Sequence, residues 1–167
     1  MNPLRRQVLL AAPVLLLTRR AAALDAPTGA VVLTLSGALQ HANRDGRADI
    51  DMAQLESLPQ RSIVTETPWY SGPRRFTGPL LRDVLALAGA KGVKARLVAL
   101  NDYRDEIPFD DVQRYDVVLA RLLDGKSMSV REKGPLFVMY PFDSQPALRN
   151  AVYFSRCIWQ LRSIEVA

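Results

Sequence analysis

The residues best suited to chemistry in this chain are arginines, lysines and a few aromatics set in turns. Arg74 and Arg75 share a loop with Trp69, and Arg131, Lys133 and Gly134 cluster just before an apolar run at Leu136. A guanidinium fork matches two oxygens of a carboxylate or phosphate at once, and glycine lets backbone amides approach the same anion. The structural alternative is a solvated rim of charge, which many such clusters are. Asn101, Asp102 and Tyr103 form a polar turn between two apolar stretches. Trp69, Arg74, Arg75 and Tyr103 together would make an aromatic wall with a few charged groups, as small-ligand pockets have.

Other reactive residue types are scarce. His41 is the sole histidine, so a Ser-His-Asp triad is not expected. The stretch from His41 to Met52 imitates a calcium loop at its third, fifth and sixth positions. It has His41 where an aspartate should begin coordination and Met52 where a bidentate glutamate should end it. A turn rich in Asn, Asp and Gly is the better reading. Cys157 is the sole cysteine, which precludes an intrachain disulfide, and no Cys/His cluster is present. Calcium, zinc and haem are therefore not expected. Between Arg156 and Ile158, Cys157 reads as a buried structural thiol.

These residues need a scaffold, and hydropathy patterning outlines one. A strand is expected over 31–35, then a polar loop to about Asp49, and a helix over 52–58 capped by Asp51 or Asp49 and closed by Pro59. Residues 61–67 read as a strand with Ile63, Thr65 and Thr67 on one face and Val64 and Glu66 on the other. Residues 69–78 read as loop. Leu80, Leu81, Val84, Leu85 and Ala88 recur at helical spacing, with Pro79 in the first turn and Gly89 at the exit. A hairpin follows, 96–100 with 103–107, then strands at 117–123, 136–140 and 159–166. Many short strands with few short helices predict an α+β domain with a mixed, barrel-like β-sheet.

The N-terminal segment has its own logic. Arg5 and Arg6 precede an apolar stretch over 8–17 that is too short to span a bilayer, and Ala21, Ala22 and Ala23 supply small residues for cleavage after Ala23. Residues 1–23 are therefore expected to be a signal peptide and 24–167 a single exported, periplasmic domain. Arg5-Arg6 followed by Gln7, Val8 and Leu9 also fits a twin-arginine signal, and an ordinary secretory signal fits equally. The chain carries 22 basic and 17 acidic residues, and its sequence pI is about 9.7. Four of those arginines precede Leu24, so the remainder holds 18 basic against 17 acidic residues. Most of the excess charge belongs to the signal, which argues against nucleic acid as a partner and limits membrane contact to the signal itself.

Five pieces in order carry a resemblance: IVTETPW at 63–69, FTGPLLRDVL at 76–85, ALNDY at 99–103, KGPL at 133–136 and WQL at 159–161. Together they resemble the oxidoreductase molybdopterin-binding domain, the sulfite-oxidase-type fold, over about 31–166. The resemblance implies a molybdopterin site with Thr65, Trp69 and Arg74 on one side. Asn101, Asp102 and Tyr103 would sit at the cofactor edge, and Arg131, Lys133 and Gly134 around its phosphate. In catalytic members a cysteine thiolate holds the molybdenum, in the segment that aligns with 64–69, and that segment has no cysteine here. Thr65 or Thr67 would be a poor substitute on a soft metal. Two functions stay open: an exported molybdopterin-dependent oxidoreductase, and a non-catalytic periplasmic module that binds a small molecule, a pterin or a partner protein without molybdenum.

Overall fold

A computed structural model describes residues 24–167; the expected signal peptide at 1–23 lies outside the described residues. Strand β1 (Val31–Gly37) alternates as a half-buried strand should, with Leu33 and Leu35 fully buried. It pairs antiparallel with β2 (Ala48–Asp51), so the expected polar loop stops short of Ala48. The turn between them is tight, with Asp45 and Gly46 both at positive φ. Its acids have structural employment: Asp49 pairs with Arg44 at 2.7 Å and accepts from the Thr34 hydroxyl at 2.8 Å.

Asp51 ends β2 and caps α1 (Met52–Ser57). Its carboxylate accepts the Gln54 N–H at 2.8 Å while the Gln54 side chain accepts the Asp51 N–H at 3.0 Å. The other oxygen takes the N–H groups of Thr28 and Gly29, both at 2.7 Å. These bonds, the Gln54 N–H foremost, hold the carboxyl below its ordinary range.

Strand β3 (Gln60–Thr65) pairs antiparallel with β4 (Arg74–Pro79). β4 corrects the reading of 69–78 as continuous loop and of Pro79 as a first helical turn: Pro79 closes the strand and Leu80 is the cap residue of α2 (Leu81–Leu87). Leu81, Val84 and Leu85 face the core from α2, and Gly89 leaves it at a φ of 59°. The hairpin of β5 (Lys94–Ala99) and β6 (Arg104–Pro108) forms as expected, and Asn101-Asp102 turns it. Helix α3 (Phe109–Arg114) follows, in a stretch where the sequence pattern marks no element. The expected strand over 117–123 is two strands in different sheets, β7 (Val118–Ala120) and β8 (Leu122–Leu123). They part at Arg121, whose backbone N–H turns to Thr77 and whose side chain pairs with Glu56. β9 (Lys126–Ser127), β10 (Phe137–Met139), α4 (Ala151–Arg156) and β11 (Leu161–Val166) complete the described chain.

The fold is mixed α+β. One sheet runs β2-β1-β11-β5-β6, a second β3-β4-β8-β9, and β10 pairs with β7 between them. β11 lies parallel to β1 and antiparallel to β5, which makes the first sheet mixed. Phe76, Leu81, Leu97, Leu119, Phe137 and Tyr140 are fully buried in one continuous core. β4 approaches β7 so closely that a Cβ on Gly78 would collide with the Leu119 carbonyl. Among the described residues no helix is long and apolar enough to cross a membrane.

Candidate functional site

A cavity of about 290 Å³ opens where the β3–β4 loop, the β5–β6 turn and the approach to β11 converge. Trp69 enters from the first, Asn101 and Tyr103 from the second, and Cys157, Ile158 and Trp159 from the third. Phe154 and Ser155 of α4 close a further wall. Its size is at the low end of small-ligand sites, which begin at roughly 300 Å³. Four aromatic side chains, Trp69, Tyr103, Phe154 and Trp159, dominate the walls. The Trp69 ring stands 5.6 Å from Phe137, 5.8 Å from Trp159 and 6.1 Å from Phe154, the last two edge to face.

Helix α4 is short and held from outside itself. Asn150 caps it by accepting the Val152 N–H at 3.1 Å. At its far end Arg156 reaches the buried Asp111 carboxylate at 2.7 Å, and the same oxygen accepts the Tyr140 hydroxyl at 2.9 Å. Burial, reinforced by Asp111, pushes the Tyr140 phenol far above its ordinary range, so it stays a donor. Before the helix, Arg149 is bonded to Asp143, and Asp143 also accepts the Thr65 hydroxyl and the Glu66 N–H, each at 3.0 Å. The residues after β3 and the lead-in to α4 are thereby tied together beside the cavity.

Polar groups at the mouth are few. The Tyr103 hydroxyl donates to the Ser155 carbonyl at 3.4 Å, and burial followed by the Asp105 charge raises its phenol pKa. Asn101 accepts the Tyr103 N–H at 3.1 Å through its side-chain oxygen, which leaves the amide N–H pair to donate outward. The Lys133 ammonium lies 5.8 Å from the centre of the Trp159 ring and 5.3 Å from that of Tyr70.

Of the site residues expected from sequence, Trp69, Asn101 and Tyr103 meet at this cavity, and Lys133 adjoins it across Trp159. The others are placed elsewhere. Thr65 is fully buried with its hydroxyl committed to Asp143. Arg74 pairs with Asp124 at 2.9 Å and stacks over Tyr70. Asp102 turns outward in the left-handed region and pairs with Arg162 at 2.6 Å. Arg131 is exposed, and Gly134 is buried where a Cβ would strike the Met128 carbonyl. Arg75 faces solvent beside Asp124. Sequence reasoning missed Phe154, Ser155, Ile158 and Trp159 as wall residues: α4 leaves no local signal, and Ile158 and Trp159 read only as the lead-in to the last strand. Cys157 was read as buried and is 2% exposed, but its place in the cavity wall was not legible.

The donor set does not fit molybdenum held by a protein thiolate. Cys157 is the one thiol, and burial pushes it up to about 12, so it remains protonated near neutrality. In the aligned segment the Thr65 hydroxyl is taken by Asp143, and Thr67 offers a hard oxygen. No group of three or more His, Cys, Asp or Glu side chains is arranged to hold a metal among the described residues. Three buried polar atoms of the segment that follows β3, Thr67 Oγ1, Tyr70 Oη and Arg74 Nε, lack partners within the described residues. They show unmet hydrogen-bonding capacity in the 67–74 segment, of a kind that water or an organic ligand can meet.

The architecture is of the sulfite-oxidase type: the fold superposes on the sulfane dehydrogenase SoxCD from Paracoccus pantotrophus with a TM-score of 0.59 at 16% identity. That match covers 80% of this chain but only 37% of the dehydrogenase chain, and at such identity it shows the fold alone. No protein-family model matches the sequence, and no curated protein matches it.

Proposed function

We propose that this chain is exported, is processed after Ala23 to a periplasmic domain, and binds a flat heteroaromatic small molecule without molybdenum. The observation that carries the reading is the aromatic cavity itself, where Trp69, Asn101 and Tyr103 converge and no ionised thiol is on hand. Trp69, Trp159 and Phe154 would contact a planar ring system, and the outward N–H pair of Asn101 would donate to a carbonyl or ring nitrogen on its edge. A metal-free pterin, planar and with a carbonyl and ring nitrogens on its edge, satisfies both demands. The sulfane dehydrogenase activity named for the structural neighbour has no support in this donor set.

The test combines metal analysis with a titration. Protein purified from its native periplasm should carry only substoichiometric molybdenum, and adding a metal-free pterin should quench tryptophan fluorescence saturably. Tyr103→Ala, at an exposed position, should weaken that binding by about 1 kcal/mol, roughly fivefold. Stoichiometric molybdenum with redox turnover would restore the oxidoreductase reading and end this one.

A further inference from the structure

The second sheet ends on an open strand. β3 pairs only with β4, so every second residue of Gln60–Thr65 turns its backbone N–H and C=O away from the sheet. Natural edges are ordinarily blunted by bulges, prolines, short length or a covering element. The other sheet edges here follow that rule: β2 is four residues and buried, β7 and β10 are three residues and buried, β9 is two residues, and β6 ends in Pro108 with α4 packed against it. β3 does not. It is six residues long, its register with β4 is unbroken, it contains neither glycine nor proline, and Ile63, Val64 and Thr65 are all β-branched. Val64 is 51% exposed.

A groove of about 340 Å³ runs beside this edge, with Arg61, Ser62 and Ile63 on the strand side and Arg114, Tyr115 and Ser144 among the residues opposite. Its charge is lopsided. Asp116 is shared by Arg61 at 3.1 Å and Arg82 at 2.8 Å, so one carboxylate serves two guanidinium groups. Arg114 has no carboxylate within ion-pairing distance among the described residues and lies over the Tyr115 ring at 5.9 Å. The groove therefore offers unpaired backbone along one wall and uncompensated positive charge along the other.

We infer that the free edge of β3 docks an extended, acidic segment of a partner protein as an added strand, with Arg114 taking a carboxylate from it. Main-chain bonds would supply affinity and the arginines the preference for acidic side chains. This surface is independent of the aromatic cavity, and its failure would leave the ligand reading intact.

The probe is a fluorescent peptide of about eight residues alternating valine with glutamate, a length typical of strands. It should raise anisotropy saturably and protect the outward amides of Ser62 and Val64 from hydrogen exchange. Its lysine counterpart, and a version N-methylated at alternate amides, should not bind. Arg114→Glu, on an exposed side chain, should weaken binding about tenfold or more, since the favourable charge pair becomes a repulsive one. Three results would overturn the inference: no binding by the glutamate peptide, equal binding of the N-methylated version, or protection located away from β3. Concentration-dependent dimerisation abolished by Val64→Pro would also overturn it, by assigning the edge to a second copy of this chain.

Discussion

At the scale of single residues, two side chains make the cavity region testable without a ligand. Cys157 lines the wall yet its thiol ionises only near about 12, so thiol reagents should modify it slowly at neutral pH. The rate should keep rising about tenfold per pH unit without the plateau that an exposed cysteine reaches near its ordinary pKa, and pterin should slow it further; both are measurable by absorbance with a disulfide reagent. Asp143 behaves differently. Burial disfavours its charge, but the Glu66 N–H, the Thr65 hydroxyl and Arg149 together hold the carboxyl below its ordinary value of 3.8. Its stabilising contribution is thus complete above that value and is lost as pH falls through the lower folded one. Asp143→Asn should consequently lose less stability than the parent between about pH 5 and pH 2, followed by circular dichroism. Thr65→Val, which removes one of the carboxylate's donors, should cost about 1 kcal/mol in denaturant unfolding at neutral pH.

Among elements, the junction of β4 with β7 bears most on the core. Gly78→Ala must move the Leu119 carbonyl, and we expect a loss of about 2 kcal/mol, whereas Phe76→Ala, which empties a fully buried ring site, should cost about 3–5 kcal/mol. Elements that bury one regular face were legible in the sequence: α2 through Leu81, Val84 and Leu85, β1 through Leu33 and Leu35, and the hairpin through its Asn101-Asp102 turn. Those set by tertiary partners were not. β4 hides behind Gly72, Pro73 and two arginines, because its pairing with β3 and packing on β7 determine it more than its own hydropathy does. The break at Arg121 depends on Thr77 and Glu56, which are distant in sequence. α4 is six residues long and held by Asp111 and Asp143, so no local pattern marks it or its contribution of Phe154 and Ser155 to the cavity. The aromatic and amide residues of the site were legible because Trp69, Asn101 and Tyr103 sit in turns. The basic cluster was not resolved into its parts, since Arg74 finds Asp124 only after the chain has folded.

For the molecule as a whole, the central feature is β11, which joins the first two strands of its sheet to the β5–β6 hairpin. A chain truncated after Gln160 should lose cooperative unfolding and near-ultraviolet dichroism altogether, because β1 and β5 would face each other across a missing strand. The charge balance after removal of the expected signal is nearly neutral, so salt should affect the stability of the mature domain only weakly, apart from its surface ion pairs. The position of β11 also sets an order of events. Residues 161–166 come later in the chain than every other strand of the first sheet, and until they are made that sheet exists only as two separate pieces. A growing chain can therefore form the β1–β2 and β5–β6 pairs early but cannot close the sheet between them. Closure of the first sheet is thus withheld until the strand that bridges its two halves has been synthesised.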